Sequence, residues 1–235
     1  MTELKNVDLD EVKKFASRAD NWWDLDGEFK TLHEINLSRL KFIMKNKNIQ
    51  GMNILDVGCG GGILTESLAK EGAIVTGIDA SNENIRVASE HASVNKLKIN
   101  YRVTTVEEMS GSSNTKFDLI TCMELLEHVP NPLSIIEASR KMLKPEGHIV
   151  FSTINRNLKA YILAIIAGEY ILKLLPKKTH SYEKFIRPNE LINWCKKFNL
   201  KINKMSGIKY NPLLRKSYLS TSPEVNYILD VVADD

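Results

Sequence analysis

The sequence is poor in the residues that crosslink secreted proteins or hold structural metals. Three cysteines occur among 235 residues, at Cys59, Cys122 and Cys195, and no two of them form a CxxC pair. Disulfides and zinc sites are therefore not expected, and the composition is typical of a reducing compartment. Residues 1–5 lack the basic and then apolar pattern of a secretory signal, so we expect a cytoplasmic location.

The chain also lacks an excess of charge of either sign. Its formal charge is +3 at pH 7, from 32 Lys and Arg against 29 Asp and Glu, so no nucleic acid is expected as a partner. Hydrophobic residues make up 43% and charged residues 26%, which is the balance of an ordinary globular protein. A chain of this length can bury one sizeable α/β core and is short for two domains.

What the sequence does contain is a glycine-rich turn. Residues 54–62 read ILDVGCGGG, between an apolar run and a predicted helix. Glycines tolerate positive φ and leave room for a ligand near the main chain. A second apolar run ends in Asp79, about 20 positions after Gly58, where a carboxylate can bind a ribose diol. The pattern predicts a nucleotide-like cofactor, and an NAD enzyme is less favoured because its glycine spacing fits less well.

Predicted strands and helices alternate along most of the chain. The strands lie at 53–57, 73–78, 99–104, 117–122, 147–153, 200–209 and 225–233, and the helices at 8–20, 29–45, 62–70, 82–94, 132–143 and 187–197. This order predicts a parallel sheet with helices on both faces, in one domain over residues 1–235. Its expected parts are N-terminal helices (1–48), a cofactor-binding core (49–156), an apolar insertion (157–186) and a C-terminal region (187–235).

A second polar cluster follows the fourth predicted strand. Glu124, Glu127 and His128 lie within TCMELLEHVP at 121–130, and doubly wound sheets bind ligands beyond the carboxyl ends of their strands. If this segment is one helical turn, the spacing puts all three side chains on one face. They could then hold a divalent cation or supply a general base, or they could form an exposed acidic turn without such a role.

An apolar stretch follows the fifth predicted strand. Residues 158–175 are almost wholly apolar, but they contain three charged residues and are followed by Lys177 and Lys178. A membrane-spanning helix is therefore not expected. The stretch is either a helix that covers the crevice or a face that contacts an anionic membrane surface reversibly.

Six segments occur in order along the chain: WWDLDGEFK at 22–30, LHEIN at 32–36, LDVGCGGG at 55–62, CMELLEHVP at 122–130, FSTINRN at 151–157 and KFIRP at 184–188. Together they resemble the ubiquinone-biosynthesis O-methyltransferase family, class I enzymes that methylate polyprenyl catechols and related phenols with S-adenosylmethionine. The resemblance covers residues 8–230. Many methyltransferases share the glycine loop, whereas the Trp-Trp-Asp-Leu segment is more particular to this family.

The resemblance implies a Rossmann-like, doubly wound α/β fold. Its sheet has seven mostly parallel strands with an antiparallel C-terminal strand, preceded by N-terminal helices and interrupted after strand five by an apolar helical insertion. Contacts to S-adenosylmethionine are expected at Arg39, Gly58, Gly60, Asp79, Glu107 and Met123. Catalysis is expected from Glu124, Glu127 and His128, which correspond to proposed magnesium ligands in the eukaryotic members.

The expected reaction is methylation of the phenolic hydroxyls of polyprenylated catechol or quinol intermediates of ubiquinone biosynthesis. Either His128 accepts the phenol proton, or a bound cation lowers the pKa of the phenol, and the sequence leaves both open. The alternatives are C-methylation of the quinone ring, methylation of another small phenol, or a non-catalytic membrane-associated subunit. Expected partners are the polyprenyl phenol, the inner face of the cytoplasmic membrane and other proteins of ubiquinone biosynthesis.

Overall fold

The computed structural model describes residues 6–45, 47–160 and 182–234. Its α-helices are α1 (Leu9–Ala16), α2 (Lys30–Met44), α3 (Ile63–Lys70), α4 (Asn82–Val94), α5 (Val106–Ser112), α6 (Pro132–Lys141), α7 (Leu158–Ala160) and α8 (Pro188–Lys196). Its strands are β1 (Asn53–Val57), β2 (Ile74–Asp79), β3 (Asn100–Val103), β4 (Phe117–Met123), β5 (Leu143–Ile154), β6 (Leu200–Asn211), β7 (Lys216–Ser220) and β8 (Asn226–Ala233). Most of the apolar stretch at 158–175 lies outside the described residues.

The eight strands of the described ranges form one sheet in the order β3-β2-β1-β4-β5-β8-β6-β7. Strands β1 to β5 pair in parallel, and β8 runs antiparallel to both β5 and β6. The predicted doubly wound α/β fold with an antiparallel C-terminal strand is confirmed. The chain order reverses between β1 and β4, which is where sheets of this type bind their ligands.

The predicted number of seven strands is wrong, because the structure has an eighth. Strand β7 lies in residues 211–223, which the sequence indicates as a loop, and it pairs antiparallel with β6 so that Leu219 lies opposite Ile208. It lies at the edge of the sheet, and its residues are exposed or only partly buried. Such a strand lacks the clear apolar alternation by which a sequence reveals a half-buried strand.

The first helix is shorter than the predicted helix at 8–20. Its N-terminus is capped by Asp8, whose side chain accepts hydrogen bonds from the main-chain N–H groups of Asp10 and Glu11. It ends at Ala16, and a short 3-10 helix follows at Ala19–Asn21. Within α1, all of which is described, no side chain is fully buried. This helix is therefore held to the rest of the protein through partly exposed contacts.

The hydrophobic core fills both faces of the sheet. In β1, the neighbouring residues Ile54 and Leu55 are both completely buried and belong to opposite layers. A parallel strand covered by helices on both sides is expected to show this continuous burial. Among the described helices, none combines the length and apolar character needed to cross a bilayer.

Candidate active site

A cavity of about 660 Å³ opens at the carboxyl ends of β1, β2 and β4. This volume is typical of a small-molecule site. Eight of the nine predicted site residues line it: Arg39, Gly58, Gly60, Asp79, Glu107, Met123, Glu124 and His128. The ninth, Glu127, is not among the described residues that line the cavity. The structure therefore brings together residues that lie up to 89 positions apart in the chain, from Arg39 to His128.

The glycine loop that precedes α3 has a backbone conformation that residues with a side chain would adopt only under strain. Gly58 and Gly60 have φ values of +69° and +54°, in the left-handed region that favours glycine. A Cβ atom added to Gly58 would lie 2.9 Å from a methyl carbon of Leu125. One added to Gly60 would lie 2.6 Å from the indole of Trp22. The loop therefore needs glycine both for its conformation and for the close packing of the protein's own side chains.

Trp22, which lies in the N-terminal segment, packs against the glycine loop. Its ring stacks on Phe29 with the centroids 4.0 Å apart, and its Nε1 donates to Oδ1 of Asn84 over 3.0 Å. The neighbouring Trp23 donates from Nε1 to the carbonyl oxygen of Gly61 over 2.9 Å. The Trp-Trp pair that carries the family resemblance thus fixes the glycine loop against α4.

Asp79 ties the ends of β1 and β2 together. Its Oδ2 accepts from the main-chain N–H of Gly60 over 3.0 Å. Its Oδ1 accepts from the N–H of Ser81 over 2.9 Å and from Nδ2 of Asn84 over 3.2 Å. Burial raises the pKa of Asp79, and the hydrogen bonds from Ser81 and Gly60 act against this rise. The carboxylate therefore has a fixed position on the cavity wall.

Arg39 is a buried cation on the same wall and is not an ordinary solvated helix arginine. It is 5% exposed, and its Nη2 lies 3.2 Å from Oε1 of Glu124. Its Nε is buried and has no hydrogen-bond partner among the described residues. Glu124 also accepts from the hydroxyl of Ser152 and from Nδ2 of Asn226. The site thus offers a buried donor to an anionic group.

Glu107 lies in the first turn of α5, a helix that is not among those predicted from the sequence. Its Oε1 accepts from Nδ2 of Asn6 over 2.7 Å, and its buried Oε2 has no hydrogen-bond partner in the described part of the chain. The adjacent Glu108 is not among the residues that line the cavity and accepts instead from the hydroxyl of Thr104 over 3.0 Å. Of the two acids, Glu107 is the one that lines the cavity.

The single helical turn assumed for Glu124, Glu127 and His128 does not form. Glu124 directly follows β4 and has a left-handed φ of +52°, and the 3-10 turn covers Leu126–His128 alone. Glu127 is 3% exposed and accepts from the Thr153 hydroxyl over 2.8 Å. Across the described residues, no three His, Cys, Asp or Glu side chains lie close enough to hold a metal ion. This donor set does not fit magnesium.

The burial of Glu127 changes its chemistry. Burial raises the pKa of Glu127 well above its usual range, and the negative charge of Glu124 raises it further. A carboxyl group in this position favours its neutral form. The hydrogen bond from Thr153 attaches Glu127 to β5, and Glu127 is not among the described residues that line the cavity.

His128 lines the cavity and has a partner, Glu11, that the sequence does not predict. Its Nδ1 lies 2.9 Å from Oε2 of Glu11 in α1, and both residues line the cavity. The hydrogen bond with His128 lowers the pKa of Glu11 to about 2. In the sequence, Glu11 follows Asp8 and Asp10 in the first turn of a helix, where acids are common. No local signal separates it from them.

The comparisons with known proteins agree with this geometry. A model of a methyltransferase domain matches residues 12–204. A ubiquinone biosynthesis O-methyltransferase from Actinobacillus pleuropneumoniae serotype 7 is 51% identical over an alignment of 230 residues, with 96% of this chain and 98% of that protein covered. The chain belongs to this O-methyltransferase family. A further member, from Hahella chejuensis, is 48% identical over 232 residues, with 99% of this chain and 98% of that protein covered.

Solved methyltransferase structures share the fold of this family member. Magnesium protoporphyrin IX methyltransferase from Synechocystis PCC 6803, solved with bound S-adenosylhomocysteine, superposes with a TM-score of 0.71 over 96% of this chain and 100% of that chain, at 18% identity. The N-methyltransferase NodS from Bradyrhizobium japonicum gives 0.67 over 96% and 99%, also at 18% identity. The family resemblance and the fold expected from the sequence are both confirmed.

Proposed function

We propose that this chain, an S-adenosylmethionine-dependent O-methyltransferase of ubiquinone biosynthesis, methylates phenolic hydroxyls of polyprenylated catechol and quinol intermediates. The observation that supports this most directly is the cavity at the switch point of the sheet, whose lining includes eight of the nine residues expected from the family. The chain is about half identical to O-methyltransferases of ubiquinone biosynthesis over nearly its whole length.

The residues present fit S-adenosylmethionine. Arg39, with its unpartnered buried Nε within the described structure, suits the carboxylate of the methionine portion. Asp79 suits the ribose diol, and the Oε2 of Glu107 suits a hydrogen-bond donor of the adenosine. Met123 adds a polarisable apolar wall. When bound, the cofactor supplies an electrophilic methyl group on a sulfonium.

The remaining task of the protein is to remove the phenol proton. A phenol titrates near pH 10, as tyrosine does, so it is largely protonated at neutral pH. His128 lines the cavity and belongs to the residue type used most often as a general base. We assign it that role, with Arg39 and Asp79 holding the cofactor in line. No step of this scheme needs a metal ion.

The test is product analysis after incubation of the protein with a prenylated catechol and S-adenosylmethionine, with and without a chelator. Mass spectrometry should show one added methyl group, and NMR should place it on oxygen. A methyl group on a ring carbon would instead identify a C-methyltransferase, and cofactor binding without turnover would indicate a non-catalytic subunit. Activity that a chelator abolishes and magnesium restores would replace the general-base scheme with a metal-dependent one.

Residues 158–175 provide a second, separate proposal about where the reaction occurs. A polyprenyl tail resides in the bilayer, so an enzyme that acts on its head group benefits from contact with the membrane surface. The sequence places apolar residues at helical spacing, followed by Lys177 and Lys178. We assign this stretch to reversible contact with the inner face of the cytoplasmic membrane, where other proteins of ubiquinone biosynthesis are further expected partners.

This assignment predicts salt-sensitive binding to vesicles of anionic lipid. Each lysine near an anionic surface contributes roughly 1 kcal/mol, and this term is screened by salt. Changing Ile162, Ile165 and Ile166 to asparagine should reduce co-sedimentation while activity on a short-chain catechol persists. If the unmodified protein fails to co-sediment even at low salt, the stretch does not bind lipid and the lid alternative is favoured.

A further inference from the structure

We propose that Glu11 is a positioning residue for catalysis, and that α1 brings its carboxylate into the site to fix the imidazole of His128. The inference rests on the proposed function, because it takes His128 as the base that accepts the phenol proton. It adds a residue that neither the sequence motifs nor the family resemblance identifies.

Two side chains of α1 hold the imidazole ring. Oε2 of Glu11 lies 2.9 Å from Nδ1 of His128. Phe15, one turn later, meets the same ring edge to face, with the centroids 5.3 Å apart and the planes at 87°. Residues four positions apart lie on one face of a helix. The hydrogen bond and the ring contact thus fix both the direction and the tilt of the imidazole.

The chemistry of the pair also sets the tautomer. An ionised carboxylate can only accept hydrogen bonds, so Nδ1 of His128 must carry a hydrogen. The lone pair of the neutral imidazole is then on Nε2, which is the nitrogen assigned to the phenol proton. The His128 and Glu11 side chains are 11% and 20% exposed, so water competes weakly for this hydrogen bond.

Other charges near Glu11 leave it ionised. Lys14 lies 3.6 Å from its Oε2, and the positive charge of Lys184 also lowers the pKa of Glu11. Lys184 is itself engaged by Asp8 at the start of α1, over 3.3 Å. Glu11 therefore remains an acceptor at neutral pH.

A different role for the contact between Glu11 and His128 is to attach α1, which has no fully buried side chain, to the rest of the protein. The two roles differ in what they predict. A docking contact, when lost, should loosen α1 and affect cofactor affinity and thermal stability. A positioning contact should affect the chemical step and should lose its effect when His128 is absent.

The first experiment compares Glu11→Gln and Glu11→Ala with the unmodified protein. The glutamine amide can donate a hydrogen bond to Nδ1 and so favour the wrong tautomer. We expect kcat to fall by about 10- to 100-fold in both variants, with KM for the catechol and the affinity for S-adenosylhomocysteine within about twofold of the unmodified values. Asp10→Asn is the matched control, because Asp10 is exposed in the same helical turn and loses the same charge.

The second experiment introduces Glu11→Gln into His128→Ala. If Glu11 acts through His128, the double variant should be as slow as His128→Ala. A further fall of the same 10- to 100-fold would show that Glu11 acts independently of His128, and an unchanged kcat in Glu11→Gln would also overturn the inference. If His128→Ala itself keeps the full rate, the assignment of the base fails, and the positioning role of Glu11 fails with it.

Discussion

Replacing Asp79 with alanine is expected to weaken the binding of S-adenosylhomocysteine by about 30- to 150-fold, which is about 2–3 kcal/mol. The change removes the acceptors assigned to the ribose diol. It also leaves the N–H groups of Gly60 and Ser81 and the amide of Asn84 without their acceptor. The glycine loop would then lose the contact that holds it against the end of β2.

Isothermal titration calorimetry measures this effect directly. Asp118→Ala is a matched control, because Asp118 is also a strand aspartate with an ionic partner, Lys144 at 2.8 Å. Asp118 is not among the described residues that line the cavity. The Asp118→Ala variant should therefore bind S-adenosylhomocysteine with the affinity of the unmodified protein. Wild-type affinity in Asp79→Ala, with the fold intact by circular dichroism, would contradict the assignment of this wall to the cofactor.

The sequence predicted those parts of the site in which neighbouring residues in the chain define the environment of each side chain. The run from Ile54 to Gly62 combines a buried strand with residues that need positive φ, so its spacing predicts both a turn and a ligand. Asp79 is similarly placed at the end of an apolar run. In both cases, neighbouring residues are enough to define the environment of the side chain.

The parts that the sequence could not predict depend on contacts between distant segments. Glu11 and His128 are 117 positions apart, and nothing near Glu11 distinguishes it from a helix-capping acid. The burial of Arg39 depends on strands that follow it in the chain. The backbone at Glu124 is left-handed, whereas the i, i+3 spacing to Glu127 assumed a regular helical turn.

The edge strand β7 was missed for a related reason. Its pairing is set by the hairpin with β6, which places Tyr218 opposite Lys209 and Leu219 opposite Ile208. Residues 211–223 are rich in Asn, Pro, Ser and Thr, which favour turns when the sequence is considered alone. Tertiary pairing thus overrides a weak local preference at the edge of the sheet.

Replacing His128 with alanine is expected to lower kcat by about 10²- to 10⁴-fold at neutral pH, the usual contribution of a general base. Cofactor affinity should change little, because the cofactor contacts assigned above come from Arg39, Asp79, Glu107 and Met123. Single-turnover kinetics with a short-chain catechol separates the chemical step from binding and from product release. Retention of the full rate would remove His128 from the mechanism.

The pH dependence of the same variant provides a second measurement. As the pH rises toward the phenol pKa near 10, the fraction of phenolate increases without help from the protein, so the deficit of His128→Ala should shrink. His148→Ala is the matched control: Nδ1 of His148 lies 2.8 Å from a carboxylate oxygen of Asp230, yet His148 is not among the described residues that line the cavity. The control should keep the unmodified rate and pH profile. A constant deficit at all pH values would show that His128 contributes to positioning or packing and does not remove the proton.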